Sequence, residues 1–110
     1  MSLAATLAVT TNGDVQFSFS VVNEGTTAVT LTFSSGKRAD IVVRDLSGEE
    51  LWRWSDGRMF TQAITRATLE PGEQIEQSYT WEDPPSGTYV ATGILEADSD
   101  LEAEAEFTVE

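Results

Sequence analysis

The chain has 110 residues and a formal net charge of −13, from 19 acidic and six basic residues. It contains no cysteine and no histidine, which excludes disulfides, thiolate metal sites and catalysis by the most common general base. The negative charge argues against nucleic acid and membranes as partners, because proteins bind phosphates and anionic lipids through their Lys and Arg side chains. A chain of this length predicts one domain over residues 1–110.

The composition also predicts where the protein works. No apolar run approaches the roughly 20 residues that span a bilayer, and the first stretch, "MSLAATLAVTTNGD", lacks the basic start and long apolar run of a secretory signal. We therefore expect a cytoplasmic protein. Lys37 is the single lysine among many carboxylates, and such surfaces suit a cytosol of molar salt, where screening falls to about 3 Å. We expect a halophilic protein, with a merely acidic domain as the alternative.

The first half of the chain shows strict two-residue alternation, which predicts strands because successive side chains point to opposite faces. "VQFSFSVVN" places apolar residues at every second position from Val15 to Val21, and "VTLTF" does so from Val29 to Phe33. "DIVVRD" and "EELWRW" flank a Ser-Gly pair, a pattern typical of a hairpin.

The second half begins with "SDGRMFTQAITRATL", which lacks clear alternation and is expected to be a long crossover with a short helical turn. "QIEQSYTW" and "LEAEAEFTV" alternate again, and "PPSGTYVATGIL" between them has the pattern of a tyrosine corner. Short strands with regular turns predict an all-β, immunoglobulin-like antiparallel β-sandwich of about 7–9 strands. The aromatic residues expected in its core are Phe17, Phe19, Trp52, Trp54, Tyr79, Trp81 and Tyr89.

The stretch "LWRWSDGRMFTQAI" is the least ordinary part of the chain. All six basic residues fall between positions 37 and 66, where five acidic residues leave a net charge of +1, so this segment does not strongly repel an acidic partner. Trp52 and Trp54 share a strand face and are expected to fill the core. The turn that follows is the candidate binding loop, because loops held by a rigid sheet carry many binding sites. Arg58, Met59 and Phe60 are its candidate contacts, with return of Phe60 to the core as the alternative.

Catalysis is disfavoured by the residues present. A serine nucleophile has neither histidine nor any lysine other than Lys37 as its base, and carboxylate pairs are too numerous to single out a glycosidase site. "EADSDLEAE" places Glu96, Asp98, Asp100 and Glu102 at alternate positions, and such oxygen ligands suit Ca²⁺. The segment lacks the glycine and spacing of an EF-hand loop, so a solvated acidic strand face is the expected alternative. We expect no cofactor, no metal and no enzyme activity.

Several short motifs occur together in a characteristic order. An Asn closes an early strand, a Ser-Gly precedes an Asp-containing strand, and Trp-x-Trp-Ser, Arg-x-Phe-x-Gln-Ala, Pro-Gly-Glu and Gly-x-Tyr follow. The residues concerned are Asn23, Ser35, Gly36, Asp40, Gly48, Trp52, Trp54, Ser55, Arg58, Phe60, Gln62, Ala63, Pro71, Gly72, Glu73, Gly87 and Tyr89. Together they resemble the pattern of the BsuPI family of intracellular proteinase inhibitors.

The resemblance implies an immunoglobulin-like sandwich and a noncatalytic protein-binding domain that inhibits an intracellular subtilisin-type serine protease. Clefts of such proteases accept an extended backbone as an added strand, with a large apolar side chain in the specificity pocket. Met59 or Phe60 would supply that side chain, and Arg58 would contact an acidic rim. The alternative is a structural or adhesion-like interaction module without inhibitory activity. The acidic surface favours a monomer.

We predict that the melting temperature rises when KCl is increased from about 0.1 M to about 2 M, because screening weakens the repulsion among surface carboxylates. Thermal unfolding followed by circular dichroism at each salt concentration measures the effect. Sucrose at matched osmolality is the control, since it stabilises compact states without screening charge. A melting temperature that stays constant in KCl contradicts the halophilic assignment.

Overall fold

A computed structural model describes residues 3–98 and 101–110 of the chain. This part is all-β and contains β1 (Leu3–Asn12), β2 (Asp14–Asn23), β3 (Val29–Phe33), β4 (Ala39–Asp45), β5 (Glu50–Arg53), β6 (Thr65–Leu69), β7 (Gln74–Trp81), β8 (Gly87–Leu95) and β9 (Glu102–Val109). The strand pairs are antiparallel. No bilayer-spanning helix is found among these residues. The expected all-β, antiparallel fold class is confirmed.

The strands build two facing layers. One layer is the three-stranded sheet β1-β2-β7, the other is the four-stranded sheet β5-β4-β8-β9, and β3 pairs with β6 in a separate ribbon. β1 lies alongside β9, which closes one side of the sandwich. On the opposite side, β5 and β7 are both edge strands. This open side carries the connection from β5 to β6.

The core follows from the alternation along β2. Val15, Phe17, Phe19 and Val21 are each at most 2% exposed, while the residues between them face outward. Phe19 also explains a glycine on β8, because a Cβ at Gly93 would lie only 2.5 Å from its ring. The two sheets therefore approach closely at this point, and the alternating pattern predicted the buried face correctly.

Five aromatic rings form a closed circuit between the layers. Trp52 of β5 stacks on Phe17 of β2 and on Trp81 of β7, with ring centroids 5.8 Å and 5.7 Å apart. Tyr89 of β8 meets Trp81 edge-on at 5.3 Å, and Phe107 of β9 contacts both Tyr89 and Phe17. Such pairs contribute about 0.5–1.5 kcal/mol each beyond the area they bury. Through Trp52, the circuit therefore fixes β5, an edge strand of the four-stranded sheet, against the three-stranded sheet.

Two of the aromatic residues expected in the core lie at its edge. Trp52 and Trp54 pack against the core cluster but stay partly exposed, because β5 is an edge strand and the open side leaves part of each indole uncovered. The other five are buried, namely Phe17, Phe19, Tyr79, Trp81 and Tyr89.

The turn before β8 forms the tyrosine corner that the sequence predicts. The hydroxyl of Tyr89 donates a hydrogen bond to the carbonyl of Pro85 at 2.6 Å. A Cβ at Gly87 would lie 3.1 Å from that hydroxyl, so a larger residue there would crowd the bond. The corner fixes the entry of β8 into the four-stranded sheet.

The prediction of a short helical turn in the "SDGRMFTQAITRATL" segment is wrong. Residues 54–57 form a turn, residues 58–64 have no regular structure, and the segment ends in strand β6. Leu69 is the only fully buried residue of β6, so alternation gives little sign of a strand there. Pairing with β3 over all five residues holds it instead. β1, which pairs with β2 along its whole length, was also not predicted, because alanines blur its pattern.

A buried asparagine joins the end of β2 to the β3-β6 ribbon. The amide nitrogen of Asn23 donates to the carbonyls of Thr27 and Leu69 at 2.8 Å and 2.9 Å, and its oxygen accepts from the N–H of Gly25 at 2.9 Å. Its backbone N–H also donates to the carbonyl of Glu73 at 3.0 Å. A single side chain therefore satisfies three groups of the turns around it.

We predict that Asn23→Ala lowers the free energy of unfolding by about 2–4 kcal/mol, because buried backbone groups lose their partners. Urea unfolding followed by tryptophan fluorescence measures the change. Gln16→Ala is the matched control, since Gln16 is an exposed residue of the same strand and should shift stability by no more than about 0.5 kcal/mol. Equal stability of Asn23→Ala and the control would refute this role.

Candidate functional site

The connection between β5 and β6, residues 54–64 and hereafter the β5–β6 loop, begins with a tight turn. The N–H of Arg58 donates to the carbonyl of Ser55 at 3.1 Å, and Gly57 between them has φ 76°. A turn with positive φ at its third residue requires glycine or asparagine. The glycine of the Ser-Asp-Gly motif therefore determines the direction in which the chain leaves β5.

Asp40 holds the start of this loop from inside the protein. Its side chain is 0% exposed, and one oxygen accepts the N–H groups of Ile41 and Ser55 at 2.9 Å and 3.1 Å. The other oxygen accepts the hydroxyl of Ser55 at 2.6 Å and the guanidinium of Arg53 at 3.3 Å. The ammonium of Lys37 lies 3.5 Å from the same oxygen. The buried charge is therefore fully paired, and three of its contacts come from residues 53 and 55.

The cations around Asp40 are shared with exposed acidic residues. Arg53 also pairs with Glu50 at 2.9 Å, and Lys37 pairs with Glu96 at 3.5 Å. The hydrogen bond from Arg53 lowers the pKa of the Glu50 carboxyl, and Glu50 in turn raises the pKa of Arg53. Two of the six basic residues are thus used to hold the loop, which accounts for part of the basic cluster seen in the sequence.

Trp54 is the platform of the loop. Its backbone N–H donates to the carbonyl of Ile41 at 3.0 Å, and its indole meets the ring of Tyr79 at a centroid distance of 4.6 Å. Burial, with a smaller contribution from the negative charge of Asp40, raises the pKa of Tyr79 to about 12. The phenol beside the indole is neutral at physiological pH, as an unperturbed tyrosine also is.

The residues on both sides of Met59 lie on this indole. The guanidinium carbon of Arg58 is 4.6 Å from the Trp54 ring centroid, and Nε of Arg58 donates to the Trp54 carbonyl at 2.8 Å. The ring of Phe60 lies 5.6 Å from the same indole and is partly buried. Met59 between them is 98% exposed. Of the three candidate contacts, Met59 is almost fully exposed, Arg58 is exposed and contacts the Trp54 ring, and Phe60 is partly buried against the same ring.

In the second half of the loop, Phe60 contacts Trp54, and among the described residues one backbone hydrogen bond, at Thr61, adds to this contact. The carbonyl of Thr61 accepts the N–H of Gly36 at 2.9 Å, and a Cβ at Gly36 would lie 2.7 Å from the Thr61 hydroxyl oxygen. The backbone groups of Met59, Phe60 and residues 62–64 form no loop or turn hydrogen bond with any residue that the structure describes. This stretch is exposed except for Phe60, so its backbone is free to pair with a partner.

An open groove of about 770 Å³ lies beside the loop, between β5 and the end of β7. Trp52 and Trp54 contribute apolar surface to it, and Arg53, Arg58 and Glu82 contribute charge. The groove therefore leaves accessible surface along the open side of the sandwich as far as Arg58, the residue before Met59.

The acidic segment considered for Ca²⁺ makes other contacts. Glu96 pairs with Lys37 at 3.5 Å, and a carboxylate oxygen of Asp98 accepts the N–H of Thr32 at 3.0 Å. Asp100 lies outside the described residues. Among residues 3–98 and 101–110, no three acidic side chains come close enough together to hold a metal ion.

Alternation along the sequence did not indicate that Asp40 holds the β5–β6 loop, although Asp40 is one of the residues of the BsuPI pattern. The signal available was a charged residue in the apolar run "DIVV", whose members are all buried. A carboxylate in such a position must be paired, which points to partners elsewhere in the chain. The sequence alone does not identify Ser55 and Arg53 as those partners, because they come from a neighbouring strand end.

These strands and contacts define an immunoglobulin-like β-sandwich that displays one multiply anchored loop at its open side. A family model described as BsuPI, intracellular proteinase inhibitor, matches residues 3–100. The chain belongs to this family, as its motifs indicate. No curated protein sequence matches it.

Solved structures of similar shape support the fold. A β-glucosidase from Kluyveromyces marxianus matches with a TM-score of 0.56 and 16% identity over 99% of this chain, which spans 14% of that enzyme. β-Glucosidase 3B from Thermotoga neapolitana, in complex with glucose, matches with a TM-score of 0.54 and 15% identity over 98% of this chain and 16% of the enzyme. A CARDB domain from Pyrococcus furiosus, in complex with di-metal ions, matches with a TM-score of 0.52 and 14% identity over 98% of this chain and 92% of the domain. At these identities the likeness concerns the fold alone.

We predict that Asp40→Asn lowers the free energy of unfolding by about 2–3 kcal/mol and speeds amide exchange at Ser55, because the substitution removes the charge that Arg53 and Lys37 neutralise. Hydrogen exchange read by NMR measures both effects. Asp56→Asn is the matched control, since Asp56 is an exposed acid of the same turn. Unchanged exchange at Ser55 in a folded Asp40→Asn protein would show that Asp40 does not hold the loop.

Proposed function

We propose that this protein inhibits a subtilisin-type serine protease by placing Met59 in the specificity pocket of the enzyme. The observation that carries the proposal is the position of Met59, which is 98% exposed between two residues that both contact the Trp54 indole. Membership of an inhibitor family supplies the protease as the class of partner. The exposure of Met59 supports this loop as the surface that meets the protease.

Rigid display favours inhibition over simple binding. A loop that is ordered before binding loses little conformational entropy when it docks, so more of the contact energy appears as affinity. The loop is fixed by Asp40 at its start, by Trp54 in the middle and by Gly36 near Thr61. A protease therefore meets a segment that is already held at several points between Trp54 and Thr61.

A subtilisin-type cleft suits both the side chain and the backbone of this segment. Such clefts pair an extended chain as an added strand, with side chains entering separate pockets. The free backbone groups of residues 59, 60 and 62–64 provide the pairing, and Met59 is the most exposed of the large apolar residues described. Arg58 contacts an acidic rim of the cleft, and Phe60 completes the contact from its position on Trp54.

The proposed setting follows from the composition and the family. The family description places its members inside cells, and the net charge of −13 with a single lysine suits a cytosol of high salt. We propose a noncatalytic, monomeric, cytoplasmic and halophilic inhibitor, without nucleic acid or membrane partners. Repulsion between acidic copies opposes dimers at low salt.

A second candidate function is an interaction module without inhibitory activity. It is favoured by the solved β-glucosidases, in which a sandwich of this shape accounts for 14–16% of a larger chain. In that case the open side of the sandwich binds a protein that is not a protease, and Met59 remains a contact. Inhibition assays separate the two candidates directly.

We predict that Met59→Asp raises the inhibition constant for a subtilisin at least about 25-fold, because loss of a central apolar anchor costs roughly 2 kcal/mol or more and each 1.4 kcal/mol is about tenfold. Progress curves with a peptide substrate measure the constant. Leu46→Asp is the matched control, since Leu46 is 68% exposed on the β4–β5 hairpin and should leave inhibition unchanged. Equal inhibition by wild type and both folded variants would eliminate this loop, and no inhibition by wild type would favour the second candidate.

A further inference from the structure

The two residues that flank Met59 are held independently of each other. Arg58 is fixed from the β5 side, by its cation–π contact with Trp54 and its bond to the Trp54 carbonyl. Phe60 is fixed from the other side, by its own contact with the same indole and by the adjacent bond between Thr61 and Gly36. The peptide bond between Met59 and Phe60 is therefore not needed to keep either residue in place.

The halves of the chain on each side of this bond are also held together by the sheets. β2 pairs with β7, β3 with β6 and β4 with β8, and each pair joins a strand before residue 59 to one after residue 60. A chain cut between Met59 and Phe60 would remain one sandwich made of two segments. Strand pairing here would hold the two segments together, as a disulfide does in cysteine-containing inhibitors.

From these two observations we infer that Met59–Phe60 is the bond that the protease attacks, and that the cut is reversible. This inference rests on the proposed function. The serine hydroxyl of the protease adds to the Met59 carbonyl, the C–N bond to Phe60 breaks, and the Phe60 nitrogen takes up a proton to leave as an amine. Water can then displace the serine, which leaves a carboxylate on Met59.

The position of Phe60 decides which nucleophile reaches the acyl carbon first. The new amine stays beside the acyl-enzyme, because the Phe60 ring is still on Trp54 and Thr61 is still bound to Gly36. A group held next to its target reacts at an effective concentration far above that of a free molecule. The amine therefore returns to the Met59 carbonyl, expels the serine and rebuilds the peptide bond more often than water hydrolyses the ester.

The inference is tested by incubating the full chain with a catalytic amount of subtilisin and analysing the products by mass spectrometry under denaturing conditions. We expect one pair of fragments, 1–59 and 60–110, whose summed mass exceeds that of the intact chain by one water. The ratio of cut to intact chain should become constant. The cut form, isolated under native conditions and given fresh enzyme, should regenerate intact chain to the same ratio.

Variants test whether the contacts of Arg58 and Phe60 with Trp54 hold the two cut ends together. Phe60→Ala removes one contact with Trp54 and should speed irreversible hydrolysis at this bond about three- to tenfold, since an aromatic pair contributes about 0.5–1.5 kcal/mol. Arg58→Gln tests the contact between Arg58 and Trp54 on the other side of the bond. Arg58 is at an exposed position, so this substitution does not disturb the core. Inhibition with no 1–59 and 60–110 fragments, or with cuts elsewhere in the loop, overturns the inference but not the inhibitory function. Absence of inhibition by the wild type overturns both.

Discussion

The geometry of the exposed loop depends on a charge that lies inside the protein. Asp40 is completely buried, and a carboxylate removed from water is tolerated only when donors replace its hydration. Those donors include Ser55 and Arg53, at the point where β5 ends. The chain leaves the sheet in one direction because another direction would deprive the carboxylate of its three contacts from Ser55 and Arg53. An electrostatic requirement of the interior therefore sets the position of Met59 at the surface.

The features that were predictable from the sequence are those that repeat along it. Alternation determined the buried face of β2, because Phe17 and Phe19 fall on one side of every pleat. β6 gave no such signal, since Leu69 alone is fully buried and pairing with β3 supplies its stability. The partners of Asp40 were not predictable either, because contacts between distant residues leave no period in the sequence. The contacts of Arg58 and Phe60 with Trp54 likewise became visible only in three dimensions.

The motif residues separate into groups with different physical tasks. Asn23 and Glu73 join β2 to the β3-β6 ribbon, and Tyr89 fixes the entry of β8. The remaining group, to which Asp40 and Trp54 belong, surrounds the β5–β6 loop. Within that loop Met59 is 98% exposed, between two residues that contact Trp54.

Strand pairing across the loop also governs how the protein can fold. The β1–β2 and β4–β5 hairpins form between neighbouring strands, but β2, β3 and β4 each pair with a strand that lies after residue 64. Topologies dominated by distant pairings fold slowly, and unpaired strand edges invite aggregation in the meantime. On a ribosome, the N-terminal half would emerge with its apolar faces uncovered and wait for β7 and β8. The cut-off between an uncovered and a covered core is therefore the synthesis of β7 and β8, which pair with β2 and β4.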